Sequence, residues 1–183
     1  MSRTVTSVVV ALAVLVVVVG AALGTIALRG FSAREEPGAV ETFVALRLRN
    51  LAMPPEARNR DNPLATTELA VAEGRDHFAD HCAVCHANDG SGRTQINAGM
   101  YPPAPDMRTQ RTQELTDGQI FYVIKNGVRF TGMPGWGGED EENWKLVLFI
   151  RHLPKIMPKE IDLMREINQL EIHEEETGDH HSR

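Results

Sequence analysis

The sequence predicts an all-α protein, a helical domain preceded by one long apolar helix. Three observations carry that prediction. Residues Thr4 to Leu28 contain no charge, and Val5 to Leu28 is almost wholly apolar. Three later stretches, about 68–81, 117–126 and 139–153, place apolar residues at helical spacing. No stretch shows the alternation of a half-buried strand.

The elements follow in chain order. At ~1.5 Å per residue the run Val5–Leu28 reaches ~36 Å, enough to cross a hydrocarbon core of ~30 Å. Residues 1–30 are therefore expected to be a transmembrane anchor. A cleaved signal sequence is the alternative, but its apolar region is ordinarily only ~7–15 residues long. Arg3 on one side and Arg29 and Arg34 on the other leave the orientation undecided by charge. Residues 31–63 read as a juxtamembrane linker. Within it Val40, Phe43, Val44 and Leu51 lie at helical spacing and predict a short amphipathic helix, stopped at Met53-Pro54-Pro55. That helix packs either on the protein's own domain or on lipid or a partner. Arg58 to Pro63 reads as an extended arm.

Residues 64–158 read as one domain. Thr67 is a helix cap ahead of Glu68, and Leu69, Ala70, Gly74 and Phe78 follow along one face toward Cys82. Thr116 caps a second helix with Asp117 in its first turn and Asn126-Gly127 as a left-handed stop. A third starts near Glu139, runs through Trp144, Val147, Leu148 and Ile150, and ends before Pro154. Asn88 to Thr112 is rich in Gly, Pro, Asn and Arg and lacks periodicity. So long a loop is unusual in a compact domain, and a bound group for it to pack on would account for it. Beyond Pro158, Ile161, Met164, Ile167 and Leu170 recur every three residues and predict a C-terminal helix. Residues 159–183 hold 3 Lys/Arg against 8 Asp/Glu, a net of −5 within a total of −6. Glu174-Glu175-Glu176 with His180 and His181 is expected to be a solvated tail, with metal binding by the histidines as the alternative.

The chemistry concentrates at Cys82-Ala83-Val84-Cys85-His86, which holds both cysteines of the chain. On a helical turn residues three apart share a face, so both thiols can reach one porphyrin, and the adjoining histidine can bind its iron. A disulfide, a thioredoxin-like redox pair and a zinc site are the alternatives. The redox pair belongs beside a βαβ pattern, and zinc ordinarily takes four ligands; neither pattern is here. The motif therefore predicts one covalent haem c, attached at Cys82 and Cys85, with His86 on the iron.

A sixth iron ligand is expected from Met100, Met107, Met133, Met157, Met164, His77, His81 or His152. Met133 is favoured. It sits in Thr131-Gly132-Met133-Pro134-Gly135-Trp136, where Gly132 permits close backbone approach and Pro134 stiffens the chain. A thioether raises the potential of a His-ligated haem. The other methionines are read as core filler, and His77 and His81 as surface or packing residues. The second ring nitrogen of His86 needs an acceptor, for which the Pro103 carbonyl in Tyr101-Pro102-Pro103-Ala104-Pro105 is the candidate.

These residues together resemble class I cytochromes c, nearest to the membrane-anchored bacterial monohaem type. The resemblance covers about residues 68–154. Gly74 and Phe78 match the family's glycine and aromatic ahead of the haem motif, and Met133 its distal ligand. It implies a cytochrome c-like fold in which the first and last helices cross at Gly74, with Phe149 packed there. It implies haem attachment on the outer, periplasmic side of the cytoplasmic membrane. A lysine-rich docking face is missing, since the lysines are Lys125, Lys145, Lys155 and Lys159. The expected function is a membrane-tethered one-electron carrier rather than an enzyme, trading electrons with membrane-bound or periplasmic redox proteins and held to the lipid bilayer by its first helix. The alternatives are a haem subunit of a larger membrane oxidoreductase and a haem peroxidase or sensor. No basic patch suggests nucleic acid.

Overall fold

The computed structural model describes residues 3–30 and 32–178, with side chains described as far as residue 168 apart from those of residues 26 and 29. The side chains of Leu170 and Glu174-Glu175-Glu176, and the whole of His180 and His181, lie outside what is described. The chain forms two compact units, Met1–Glu35 and Glu36–Arg183.

The first unit is helix α1 (Arg3–Arg29). Two of its hydroxyls fold back onto its own backbone. Ser7 Oγ donates to the Arg3 carbonyl at 3.0 Å and Thr25 Oγ1 to the Ala22 carbonyl at 2.7 Å. Polar side chains satisfied in this way suit an apolar medium. The stretch Arg3–Thr25 has a mean hydropathy of 2.8 and is long and apolar enough to cross a membrane.

Every regular element of the second unit is helical, and no strand forms among the described residues. Helix α2 (Ala39–Ala52) is followed by the single turn α3 (Pro55–Arg58) and then α4 (Glu68–His77). A π-helical turn, Phe78–Cys82, continues α4 into the turn α5 (Ala83–His86). After the loop come α6 (Gln110–Gln113), α7 (Asp117–Asn126), α8 (Asp140–His152) and α9 (Pro158–Gly178). Both expected caps form. Thr67 Oγ1 accepts from the Ala70 N–H at 3.1 Å. Thr116 and Gln119 exchange side-chain and backbone bonds as a full capping box. Gly127 ends α7 with positive φ, 69°, as expected, but its ψ of −170° is extended rather than left-handed helical. The chain must leave α7 straight into a returning loop, so it does not curl.

The core centres on the crossing of α4 and α8 at Gly74. A Cβ there would collide with the Lys145 carbonyl and lie 3.2 Å from Phe149 Cβ. Phe149 packs against Phe78 with ring centroids 5.2 Å apart and the rings tilted by 60°, as the resemblance implied. Trp144, Phe78, Phe149, Leu153, Met164 and Val147 are fully buried. Lys145 Nζ ties α8 to α4 through Glu73 at 2.9 Å.

The flanking segments are more engaged than the sequence suggested. Asn62 Nδ2 donates to the Trp144 carbonyl at 3.0 Å, and the Arg60 guanidinium lies over the rings of Phe121 and Trp144 at 4.8 and 5.2 Å. The arm is therefore packed down rather than merely extended. α9 buries Met164 completely, and Ile167 packs on the core. Met157, expected as filler, is instead exposed at the N-cap of α9, where its N–H donates to Glu160 Oε2 at 2.9 Å. α9 extends to Gly178, so the backbone of the acidic run Glu174–Glu176 is helical.

Candidate functional site

Cys82, Cys85 and His86 share one turn because the chain passes from α4 through a π-helical turn into α5. Such single-turn widenings are frequent at functional sites. The turn stops abruptly. Ala87 has φ 61° and ψ 154°, a strained state for an L-residue. Two backbone bonds then fold the following loop under the motif: Gly92 N–H donates to the His86 carbonyl at 2.8 Å, and Met107 N–H to the Gly90 carbonyl at 2.8 Å.

Both cysteines are free and half-buried. Burial pushes the Cys82 thiol up to about 12, helped by Cys85 and Asp80. A redox-active C-x-x-C pair needs the opposite, a thiol shifted down toward the thiolate. Among the described residues no three His, Cys, Asp or Glu side chains gather to hold a metal ion, so the zinc reading finds no ligand set.

His86 is 6% exposed. Burial pulls its pKa down to about 4, against an opposing pull from the Pro105 carbonyl. The ring is therefore neutral at physiological pH, the form that ligates metals. Its Nδ1 is buried without a hydrogen bond of ordinary geometry, and an orphaned buried polar atom calls for an explanation. The nearby carbonyl is that of Pro105, two residues beyond the Pro103 that the sequence suggested.

Met133 lies across a loop that doubles back on the end of α7. Val128 N–H donates to the Met133 carbonyl at 3.1 Å, and Met133 N–H donates to Thr131 Oγ1, also at 3.1 Å. Trp136 N–H reaches the Ile124 carbonyl at 3.1 Å. The return is tight because two glycines face backbone: a Cβ on Gly127 would strike Pro134 and Gly135, and one on Gly135 would strike Asn126. Gly132 has a role the sequence did not reveal. The methyl of Met100 occupies the space its Cβ would take. One contact brings this loop to the Cys82–His86 region, Trp136 meeting His81 edge-on at 5.3 Å, while Met100 of the 88–112 loop packs over Gly132. His81 thus packs, as expected, and also binds Asp80 at 2.8 Å.

The long loop 88–112 has braces of its own, so a bound group is not its whole support. Buried Asn97 donates to the carbonyls of Gly92 (2.5 Å) and Ala104 (3.2 Å) and accepts from the Ala104 N–H. Arg108 pairs with both Asp89 (3.0 Å) and Asp106 (2.7 Å). Asn97 was missed because its partners are backbone groups up to seven residues away in a segment without periodicity.

The residues fit a haem. Phe130, beside the Met133 loop, is 93% exposed at φ 62°. Val84, between the cysteines, and Ile96, Tyr101 and Trp136 are exposed as well. Exposed apolar side chains in the same domain as a neutral, buried histidine are the kind of surface a porphyrin would cover.

Comparison with known proteins agrees. No curated protein matches the chain. Residues 69–150 match the family model described as cytochrome c oxidase, cbb3-type, subunit III. The match begins in the first turn of α4 and ends within α8, so it encloses the helix crossing, the Cys82–His86 turn and the Met133 loop. Over residues 69–150, somewhat under half of the chain, the protein is therefore similar to a cytochrome c domain, and that family implies haem c.

Proposed function

We propose that the protein is a membrane-tethered one-electron carrier with one covalent haem, attached at Cys82 and Cys85 and ligated by His86 and Met133. The observation that carries this reading is His86: a neutral imidazole, 6% exposed, beside the Pro105 carbonyl, in the turn that bears both thiols. When bound, haem supplies an iron that takes up and gives back a single electron. The chain does the rest. Phe78 and the Pro105 carbonyl bracket the His86 ring, with the Phe78 ring centroid 6.3 Å away. The doubled-back loop offers the Met133 thioether as a soft ligand, and Phe130, Ile96 and Trp136 exclude water. Anchorage is proposed through α1, with its N-terminus in the cytoplasm and the haem domain on the periplasmic side.

A second reading is supported by the words of the matched family model, which name a subunit of an oxidase. On that reading the same haem domain works as a fixed relay within a larger membrane oxidoreductase. Redox titration of the full-length protein extracted in mild detergent tests both. A single one-electron wave from a particle of one chain supports the carrier. The same wave from a stoichiometric larger assembly supports the relay. Absence of any one-electron wave overturns both.

A further inference from the structure

Helix α2 is amphipathic the wrong way round for a soluble domain. Its half-buried residues include Leu46, Arg49 and Asn50, and these line a cleft with Arg111, Glu114, Leu115 and Gln119 of the domain. Arg49 is buried enough there to lower its pKa, with Arg111 adding to the effect. The opposite face carries Val40, Phe43, Val44, Leu48 and Leu51, all exposed, Val40 and Leu51 at 79% and 76%. At 100° per residue these five fall within an arc of about 140°. An apolar stripe of that width ordinarily faces a core, but here the core side is taken by the more polar face.

We infer that the outward face of α2 lies on the lipid bilayer interface, so that the protein holds its membrane with a second element besides α1. The inference rests on the reading of α1 as a membrane span. Two further observations choose lipid as the occupant. Only residues 30–38 separate α1 from α2, and nine residues extend to at most ~32 Å. A membrane exit at the end of α1 thus keeps α2 close to the surface it left. Arg47 also falls inside the apolar arc, with its guanidinium over the Phe43 ring at 5.1 Å. An arginine there suits a helix lying at the headgroup boundary, since its stem covers apolar surface while its charge reaches lipid phosphate. Against an apolar protein surface the same guanidinium would need a buried partner. The consequence is orientational. α2 is fixed to the domain by one face and to lipid by the other, so the haem domain would not swing freely on its linker.

Site-specific photocrosslinking tests this on the full-length haem protein in nanodiscs of phosphatidylcholine and phosphatidylglycerol. p-Benzoylphenylalanine is placed singly at Val44, at Val10 in α1, and at Asp162, which is exposed on α9. Intact mass after irradiation is expected to show a phospholipid adduct at Val44 and at Val10 and none at Asp162. Lipid adducts at Val10 but none at Val44 overturn the inference and leave the span intact. Adducts at Val44 but none at Val10 uphold the α2 contact and overturn the span. A Val44 adduct with the mass of a protein, a second copy included, overturns the lipid assignment. Equal lipid labelling at Val44 and Asp162 overturns it too, because the adduct would then reflect chance collision.

Discussion

The two sides of the proposed haem site are built differently. The attachment side, Cys82 to His86, continues a core helix. Phe78 sits 0% exposed, one turn before the first cysteine, and packs on Phe149. The Met133 side is a loop whose shape rests on backbone bonds and glycine contacts, with Met133 only half-buried. A shift of the Cys82–His86 turn is therefore expected to disturb the α4–α8 crossing, whereas the Met133 loop is expected to loosen while the domain stays folded. Damage to the first should appear as lost stability, and damage to the second as lost ligation.

The largest effects are expected at the crossing. Phe149→Ala removes a fully buried ring and should cost about 3–5 kcal/mol. Gly74→Ala forces a methyl into the Lys145 carbonyl and should cost about 1–3 kcal/mol. Denaturant unfolding of the haem-loaded protein measures both. If either variant is as stable as the parent, the crossing does not support the attachment turn.

A pH effect of intermediate size is expected outside both regions, at the joint between α8 and α9. Burial pushes the Glu160 carboxyl up, but the Met157 N–H, His152 and the charge of Arg75 outweigh it and leave its pKa below the usual value. A depressed folded pKa means that its contribution is present above the unfolded value, ~4.5, and fades as pH falls through the folded one. The stability difference between the parent and Glu160→Gln should therefore shrink on acidification below about pH 4.5. A difference that grows in acid would reverse the sign. Neither outcome should alter haem ligation at neutral pH, which separates this joint from the site.

The smallest effect on stability is expected in the Met133 loop. Thr131→Val removes the hydroxyl that accepts from Met133 N–H and donates to the Val128 carbonyl at 2.7 Å. The cost should be about 1 kcal/mol, yet the variant should show weakened methionine ligation, read as faster binding of imidazole by the oxidised protein. Unchanged imidazole binding would mean that this hydroxyl does not position Met133.

Much of this architecture was legible in the sequence, for identifiable reasons. α4, α7 and α8 start where Thr67, Thr116 and Glu139 predict, because caps and the apolar period are local signals. The Cys82–His86 spacing was equally readable, and the Gly74–Phe78–Phe149 cluster was implied by the family resemblance. Long-range contacts were not. Nothing local marks Arg60 for the rings of Phe121 and Trp144, Met100 for the space at Gly132, or Asn97 for two distant carbonyls. The π-helical turn also left no sequence signal, since packing around Phe78 decides it. Pro103 and Pro105 are alike in sequence, and only the folded loop distinguishes their carbonyls.

A covalent haem held between His86 and Met133 is best tested by the visible and near-infrared spectrum of the purified protein beside Met133→Ala, with haem extraction by acidified organic solvent on both. Haem should resist extraction from both proteins, and a sulfur-to-iron charge-transfer band should be present in the parent and lost in the variant. Haem that extracts freely, or a band that survives Met133→Ala, would contradict it.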